Sequence, residues 1–313
     1  MCTVQTAIRT VHVTSPLATA SPAQATESSS LAPTIEITER PGLNNSTGQR
    51  LWDCAIGMTS FLSQHPSALE PDFPLEGLLT AADLDERPPA KRCRRHEPSR
   101  NKRLRVVELG AGCALASMAA PRILAADAST QQQQRASVLA TDVETTVEST
   151  LKENLLANGM LRPDARSPST KSSPNRLKTS SFSLAVESAV LDWGRLSDQQ
   201  LDVVFGRLTD VGRNSDDAKA SDDPALTILA TDVLYNPESH PLFLSTLLSI
   251  LRPRPPSSNS TSTASTATTP RRALLAYKHR TEGDDGFFAL ARAAGLEVTK
   301  VWEWGEVSVW ALT

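Results

Sequence analysis

Short apolar runs alternate with segments of helical periodicity along most of the chain. The runs that read as buried strands are 104–109, 137–141, 182–191, 225–231 and 273–277. Segments with apolar positions at helical spacing are expected near 114–125, 143–155, 239–251 and 283–294. An alternation of strands and helices predicts a parallel sheet that is covered by helices on both faces.

The two ends of this pattern differ from its middle. Residues 296–303 and 306–312 read as consecutive strands joined at Gly305, which predicts a terminal hairpin and hence one antiparallel strand. Near the start, 47–62 places an apolar face at helical spacing, formed by Trp52, Ala55, Ile56, Thr59 and Leu62. This face is first of all a packing face, although Trp52, at its beginning, can instead reach over a ligand.

The letters LATDV occur twice, at 139–143 and at 229–233, and each copy ends an apolar run with an aspartate. Buried parallel strands read as nearly continuous apolar runs. Asp142 and Asp232 are therefore both expected at the carboxyl edge of the sheet, where open α/β folds bind ligands. The flanking residues do not match, so the two copies are not an internal repeat.

Polar, low-complexity stretches interrupt this pattern and cannot build a core. The sequence predicts a disordered N-terminal tail over 1–33 and a single domain over 34–313. Disordered insertions are expected near 64–103, 161–180, 211–224 and 253–270. A chain of 313 residues is long enough to bury one sizeable core.

Charge is concentrated in one segment. The net charge is −3, but residues 91–105 carry eight Lys or Arg and one Glu, which is +7 and leaves −10 for the rest. A solvated loop is the favoured interpretation, and a nuclear-import signal or weak nucleic-acid patch is the alternative. No aromatic residues are interleaved for base stacking, which disfavours nucleic acid.

Cysteine and histidine usage argues against metal and disulfide chemistry. The four cysteines are far apart without a CxxC, and the five histidines are scattered. This pattern predicts a reducing compartment and no metal site. No apolar run reaches the roughly 18 residues of a membrane span, so no membrane partner is expected.

A glycine-rich motif, VVELGAGCAL, occupies residues 106–115 between a strand and a helix. Gly110 and Gly112 allow positive φ and let a ligand lie against bare backbone, near the free N–H groups of a helix start. Leu115 replaces the third glycine of a dinucleotide fingerprint, and Glu108 adds negative charge. A cationic or zwitterionic ligand suits the motif better than a pyrophosphate, and an ordinary tight turn is the alternative.

Asp142 follows Gly112 by 30 residues, where about 20 is usual for an acid that binds ribose hydroxyls. The polar tract QQQQ at 131–134 accounts for the excess as a loop insertion. The alternative role for Asp142 is a helix N-cap, and one side chain can serve both purposes.

Two further motifs place aromatic rings at the same edge. Trp193, in LDWG, offers a flat wall for an adenine, or it belongs to the core. Asp232 and Tyr235, in DVLY, put an acid and a phenol three residues apart, so both can face one pocket. The alternative for this segment is helix capping by Asp232 or Asn236.

As an ordered set, these motifs resemble a known family. The set comprises GxxxW at 48–52, ELGAG at 108–112, TD at 141–142 followed by Asn154 and Asn158, LDWG at 191–194, DVLY at 232–235, and AYKHR with FF within 276–288. It is similar to the methyltransferase-like, S-adenosylmethionine-dependent lysine methyltransferases, whose substrates are non-histone proteins such as chaperones and elongation factors. The resemblance covers roughly 35–313 without the insertions.

The resemblance implies a doubly wound, mostly parallel, seven-stranded Rossmann-like methyltransferase sheet with an antiparallel C-terminal strand. It implies S-adenosylmethionine contacts at Trp52, Glu108, Gly110, Ala111, Gly112, Asp142, Trp193 and Thr231. Asp232 and Tyr235 would take the catalytic, substrate-side role. The partner would be a protein that presents a lysine to a monomeric enzyme, which we expect in the cytoplasm and, if the basic run acts in import, in the nucleus.

Other functions remain open. Cys113 and Ala114 depart from the family pattern, and the large insertions leave the substrate in question. A methyltransferase of small amines or nucleic acid, and a non-catalytic S-adenosylmethionine-binding interaction protein, are the alternatives. Leu115 argues against a third alternative, an NAD-dependent oxidoreductase.

Overall fold

The computed structural model describes residues 7–13, 34–40, 49–75, 78, 103–127, 136–161, 185–194, 196–206, 224–252, 269–280 and 285–313. The strands are β1 (Ala7–His12), β2 (Thr34–Glu39), β3 (Leu104–Leu109), β4 (Ala136–Asp142), β5 (Val186–Val190), β6 (Ala225–Thr231), β7 (Arg271–Lys278), β8 (Val298–Trp304) and β9 (Val307–Leu312). The helices are α1 (Asp53–Gln64), α2 (Leu115–Asp127), α3, α4 (Asp198–Val204), α5 (His240–Leu251) and α6 (Gly286–Ala293). Helix α3 is continuous through Glu144–Thr146, a π-helical turn Val147–Leu151, and Lys152–Ala157. Short 3₁₀ turns occur at Pro66–Leu69 and Pro237–Ser239.

The main sheet has seven strands in the order β5-β4-β3-β6-β7-β9-β8. Strands β3 to β7 pair in parallel, and β9 is antiparallel to both β7 and β8. The predicted doubly wound, mostly parallel sheet with an antiparallel C-terminal strand is confirmed. The strand order reverses between β3 and β6, which is the position where open α/β sheets bind ligands.

Apolar cores lie on both faces of this sheet. Side chains alternate along each strand, so Val106 faces the core under α1 and α2, and Val107 faces the core under α5 and α6. Phe61 and Phe243 are fully buried in the first and second core, respectively. Burial on both sides explains why these strands are nearly continuous apolar runs.

A two-stranded ribbon was not predicted. Ala7–His12, within the expected disordered tail, pairs antiparallel with β2, so that expectation is wrong for these residues. The signal was present in β2, where Ile35 and Ile37 are buried and Thr34 and Glu36 are exposed. Period-two alternation is the mark of a half-buried strand.

The two asparagines of the family-like pattern hold this ribbon in place. Asn158 accepts from Glu36 N (3.1 Å) and donates to Glu36 O (2.7 Å), and Asn154 accepts from Thr38 N (2.7 Å). Asn154 also donates to Cys113 O at 3.2 Å. One amide therefore connects β2 to the glycine-rich turn after β3.

The basic run ends inside the fold and not in solvent. Arg105 is buried in β3, where it donates to Val204 O (2.6 Å) and pairs with Glu187 (3.0 Å). Arg105 therefore belongs to the predicted strand 104–109, and the solvated-loop interpretation does not hold for this last residue of the run. Helix α4, which the sequence pattern did not reveal, ends at this arginine and begins at a Ser197–Gln200 capping box.

The insertions lie largely outside the described residues. At the start of the first one, α1 continues to Gln64, and Arg272 donates to Pro71 O (2.7 Å) and Phe73 O (2.5 Å). The structure does not describe residues 79–102, 162–184, 207–223 and 253–268, nor the QQQQ tract. Within the described ranges, no helix is long and apolar enough to cross a membrane, and no cluster of His, Cys, Asp or Glu suits a metal ion.

Candidate active site

A cavity of about 350 Å³ lies at the carboxyl edge of the sheet, between the turns after β3, β4, β5 and β6 and the start of α1. Its wall includes the predicted residues Trp52, Gly110, Ala111, Gly112, Asp142, Trp193, Thr231, Asp232 and Tyr235. The remaining lining residues are Arg50, Leu51, Ala55, Cys113, Leu115, Val143, Leu191, Asp192, Val233 and Leu242. The structure thus brings together nine of the ten predicted residues, and Glu108 is the exception.

The glycine-rich turn forms one wall. Gly110 and Gly112 have φ of 68° and 52°, in the left-handed region that disfavours a side chain. A Cβ on Gly110 would stand 3.0 Å from both Trp193 Cζ2 and Val233 Cγ1. Glycine is therefore required at this position both for its backbone conformation and for the close approach of two neighbouring side chains.

Asp142 anchors the turn and also lines the cavity. Its Oδ2 accepts from Gly112 N (2.8 Å), and its Oδ1 accepts from Val143 N (2.7 Å) at the entry to α3. Burial raises the pKa of this carboxyl, and the two backbone N–H groups oppose that shift. The N-cap of α3 is Val143, so Asp142 anchors the chain that enters the helix without capping it. Ribose binding stays a prediction.

Trp193 packs against the core and also lines the cavity, and its role as a wall for adenine stays a prediction. Its ring packs against Phe243 with centroids 4.9 Å apart, and another part of the ring lines the cavity. Thr246 Oγ1 accepts from Gly194 N at 2.8 Å, which holds the turn after β5 against α5. The indole is therefore fixed in position as a flat wall.

Glu108 lies beneath the turn, and the expected contact with a ligand in the cavity is not supported by its position. It is fully buried, and its Oε2 accepts from Ser117 N (2.8 Å) and Ser117 Oγ (2.6 Å) in the first turn of α2. The alternation of β3 points Glu108 to the face that α2 covers, so it braces the start of that helix.

The environment of Glu108 predicts a pH-dependent contribution to stability. Burial raises its pKa from 4.5 to about 7. The unfolded carboxyl ionises first as pH rises, so stability is lost between these two values, by about 3 kcal/mol. Between pH 4 and pH 8, the free energy of unfolding of Glu108→Gln should therefore rise by about 3 kcal/mol relative to that of the wild type. Denaturant unfolding at the two pH values measures this, and a constant difference would contradict the shift.

Asp232 directly follows β6 and has a left-handed backbone conformation, with φ of 60°. Its Oδ1 and Oδ2 accept from Arg280 Nη1 (2.5 Å) and Nη2 (2.9 Å), and Cys54 Sγ donates to Oδ1 at 3.4 Å. Sequence reasoning missed Arg280, although it ends the AYKHR segment that carries part of the resemblance. No local pattern signals that this arginine reaches across to the turn after β6.

After Asp232, one residue caps the next helical turn and another lines the cavity. Asn236 Oδ1 accepts from Glu238 N at 3.1 Å, so Asn236 provides the cap and Asp232 does not. His240 is buried, and its Nε2 lies 3.0 Å from Leu234 O, which supports the turn. Tyr235 is half exposed and, like Asp232, lines the cavity.

Trp52 immediately precedes α1 and lines the cavity, so it does not serve only as a packing residue. The guanidinium carbons of Arg50 and Arg280 lie 5.1 and 5.2 Å from its ring centroid. An aromatic ring with cations at this distance is a cation–π site.

A mostly parallel seven-stranded sheet with this order and a cavity at its carboxyl edge is the Rossmann-like methyltransferase arrangement. Residues 31–170, less than half of the chain, match the family model described as lysine methyltransferase. The sheet and the match support a class I methyltransferase that uses S-adenosylmethionine. The matched part contains Trp52, the glycine-rich turn and Asp142, and it ends before Asp232.

Solved structures show more distant likenesses. An O-methyltransferase family protein from Burkholderia thailandensis is 10% identical, with a TM-score of 0.36 over 68% of this chain and 51% of that one. The ribosomal protein L11 methylase from Lactobacillus delbrueckii subsp. bulgaricus is 15% identical, with a TM-score of 0.31 over 68% of this chain and 70% of that one. The O-methyltransferase TomG from Streptomyces achromogenes, in complex with SAM, is 15% identical, with a TM-score of 0.32 over 68% of this chain and 74% of that one. No curated protein shows a significant match.

Proposed function

We propose that the protein is an S-adenosylmethionine-dependent lysine N-methyltransferase of a non-histone protein, of the elongation-factor or chaperone type. The observation that carries this proposal is the shared cavity. It brings Asp232 and Tyr235 into the same cavity as the glycine-rich turn, Asp142 and Thr231. The protein-substrate class comes from the family match and the family resemblance together.

The described residues suit the cofactor. Asp142 offers a carboxylate for ribose hydroxyls, Trp193 a wall for adenine, and Gly110 and Gly112 bare backbone for the amino-acid part. The cavity volume of about 350 Å³ lies in the range of small-molecule sites. When bound, the cofactor supplies a methyl group on a sulfonium, which needs neither a metal nor a covalent enzyme intermediate.

Methyl transfer requires that an acceptor lone pair lie in line with the methyl–sulfur bond. Held by the glycine-rich turn and Asp142, the cofactor would supply its methyl group to the amine nitrogen and keep the electron pair of the broken carbon–sulfur bond, and the methylated ammonium would release a proton to solvent. Asp232 accepts a hydrogen bond from the amine and so orients its lone pair. Tyr235 lines the approach and contacts the amine through its ring or hydroxyl.

Two assays test this proposal. S-Adenosylhomocysteine should raise the melting temperature of the purified chain, and NAD should not. Incubation with methyl-labelled S-adenosylmethionine and a dialysed cell extract should label a protein band, with heat-killed enzyme as the control. Stabilisation by NAD alone would favour an oxidoreductase, and cofactor binding without any transfer would favour an interaction protein.

A nucleic-acid substrate is the weaker alternative. Most of the basic run lies outside the described residues, and its last member, Arg105, is buried in β3 and unavailable for phosphate. Label that enters RNA, at a rate that falls as the salt concentration is raised, would support this alternative. The cytoplasmic location with a nuclear pool, and the monomeric state, stay predictions.

A further inference from the structure

The proposed reaction has an electrostatic problem at Asp232. A lysine amine has a pKa of about 10.4 in water, and only its neutral form has a lone pair to attack with. A lone carboxylate beside it favours the ammonium form, which is unreactive. The residue that orients the acceptor would therefore also hold it in the wrong protonation state.

We propose that Arg280 is a positioning residue that neutralises Asp232, so that the acceptor amine is oriented by a carboxylate without being held as an ammonium. This inference rests on the proposed function and concerns how its substrate end works. Arg280 acts through Asp232 and need not touch the methyl donor.

The geometry of the pair supports this role. The guanidinium meets both carboxylate oxygens, at 2.5 and 2.9 Å, in the fork arrangement that favours arginine over lysine. The side chains are 29% and 7% exposed, so water screens the pair poorly. Trp52 lies against the same guanidinium, with 5.2 Å to its ring centroid. Arg280 is thus fixed from two sides.

The pair leaves acceptor capacity on the carboxylate. Oδ1 already accepts from Arg280 and Cys54, whereas Oδ2 accepts from Arg280 Nη2. Each carboxylate oxygen has two lone-pair sites. An amine N–H can therefore donate to Oδ2 while the charge of Asp232 stays balanced.

Few other charges act on this carboxylate from the described elements. Burial and Asp232 raise the pKa of the Cys54 thiol on α1, which keeps it neutral. Asp53 pairs with Lys278 at 3.1 Å, and Lys278 also pairs with Glu306. The other titratable or charged groups on the cavity wall are Arg50, Cys113, Asp142, Asp192 and Tyr235. Among the described residues, the cation in contact with Asp232 is therefore Arg280.

The test is the pH profile of methyl transfer from labelled S-adenosylmethionine to the dialysed extract, for wild type, Arg280→Gln, Arg280→Lys and Arg50→Gln. Without the guanidinium, the unpaired carboxylate raises the acceptor pKa, so the acidic limb of Arg280→Gln should move up by about one unit or more. Its rate should drop about tenfold at pH 7.5 and recover towards pH 10. The Lys variant should stay within about half a unit of wild type.

Arg50→Gln is the matched control, because Arg50 stacks on the same Trp52 ring and does not contact Asp232 through any hydrogen bond of the described residues. Its limb should move by less than that of Arg280→Gln. An equal loss for Arg280→Gln at every pH, or an unmoved limb, would overturn the inference while wild-type activity upholds the proposed function. If the wild type transfers no methyl group, the proposed function itself is contradicted. If the Gln variant is insoluble, a limb displaced by a unit or more in Arg280→Lys overturns the charge argument.

A second readout needs neither cofactor nor substrate. Denaturation midpoints of Asp232→Asn, Arg280→Gln and the double variant measure the coupling of the pair in the free protein. The double variant should be more stable than the sum of the two single losses predicts, because it leaves no unpaired, poorly solvated charge. Additive losses would show that the two side chains do not act as a pair.

Discussion

Asp232→Asn should lower methyl transfer by about 100-fold or more and leave the affinity for S-adenosylhomocysteine within about threefold. The amide has no negative charge to pair with Arg280. It also presents an N–H donor where the substrate amine needs an oxygen that accepts its hydrogen bond. Asparagine tolerates the left-handed backbone at this position, whereas alanine would add strain at φ of 60°. Initial rates with labelled donor and titration calorimetry measure the two quantities.

The division of labour within the cavity depends on this separation. We assign Asp232 to the substrate and Asp142, which accepts from Gly112 N at 2.8 Å, to the cofactor. A loss of cofactor binding in Asp232→Asn, equal to its loss of transfer, would contradict that division. Unchanged transfer would remove Asp232 from the substrate role altogether.

Gly110→Ala should weaken S-adenosylhomocysteine binding by about tenfold or more and destabilise the fold. The added Cβ would meet Trp193 and Val233 at 3.0 Å, so the wall that faces the cofactor must shift. The left-handed backbone costs a further 1–2 kcal/mol or so. Calorimetric titration and denaturant unfolding measure the two effects.

Gly159→Ala provides a matched control for backbone strain. Gly159 has φ of 65°, close to the 68° of Gly110, but its Cβ would meet nothing within 4 Å. Both substitutions should therefore carry the same conformational cost of about 1–2 kcal/mol. Gly110→Ala alone should lose cofactor affinity. Equal affinities in the two variants would show that the glycine-rich turn does not shape the cofactor site.

Much of the site could be predicted because it depends on local rules. Apolar runs ending in Asp142 and Asp232 define parallel strands, and the carboxyl ends of such strands meet at one edge. The glycine pair marks a turn with positive φ. These features fix the position of a side chain through the backbone, and a single sequence is enough to predict where such strands and turns occur.

What could not be predicted depends on contacts between distant residues. Arg280 pairs with Asp232 48 positions earlier, and Arg105 pairs with Glu187 82 positions later. Arg105 stands in a run that predicts a buried strand, but nothing local identifies its partner, and Arg280 has the local pattern of a surface arginine. Glu108 was expected at the ligand because it precedes the glycines, but the direction of its side chain depends on α2 covering that face.

The most direct test of the account is the chemical identity of the methylated group. The protein labelled in the extract is hydrolysed, and the labelled amino acid is identified by chromatography, for wild type and for Asp232→Asn. The account predicts label in N-methylated lysine that depends on Asp232. Label in RNA or small metabolites alone, or in an amino acid other than lysine, would contradict it.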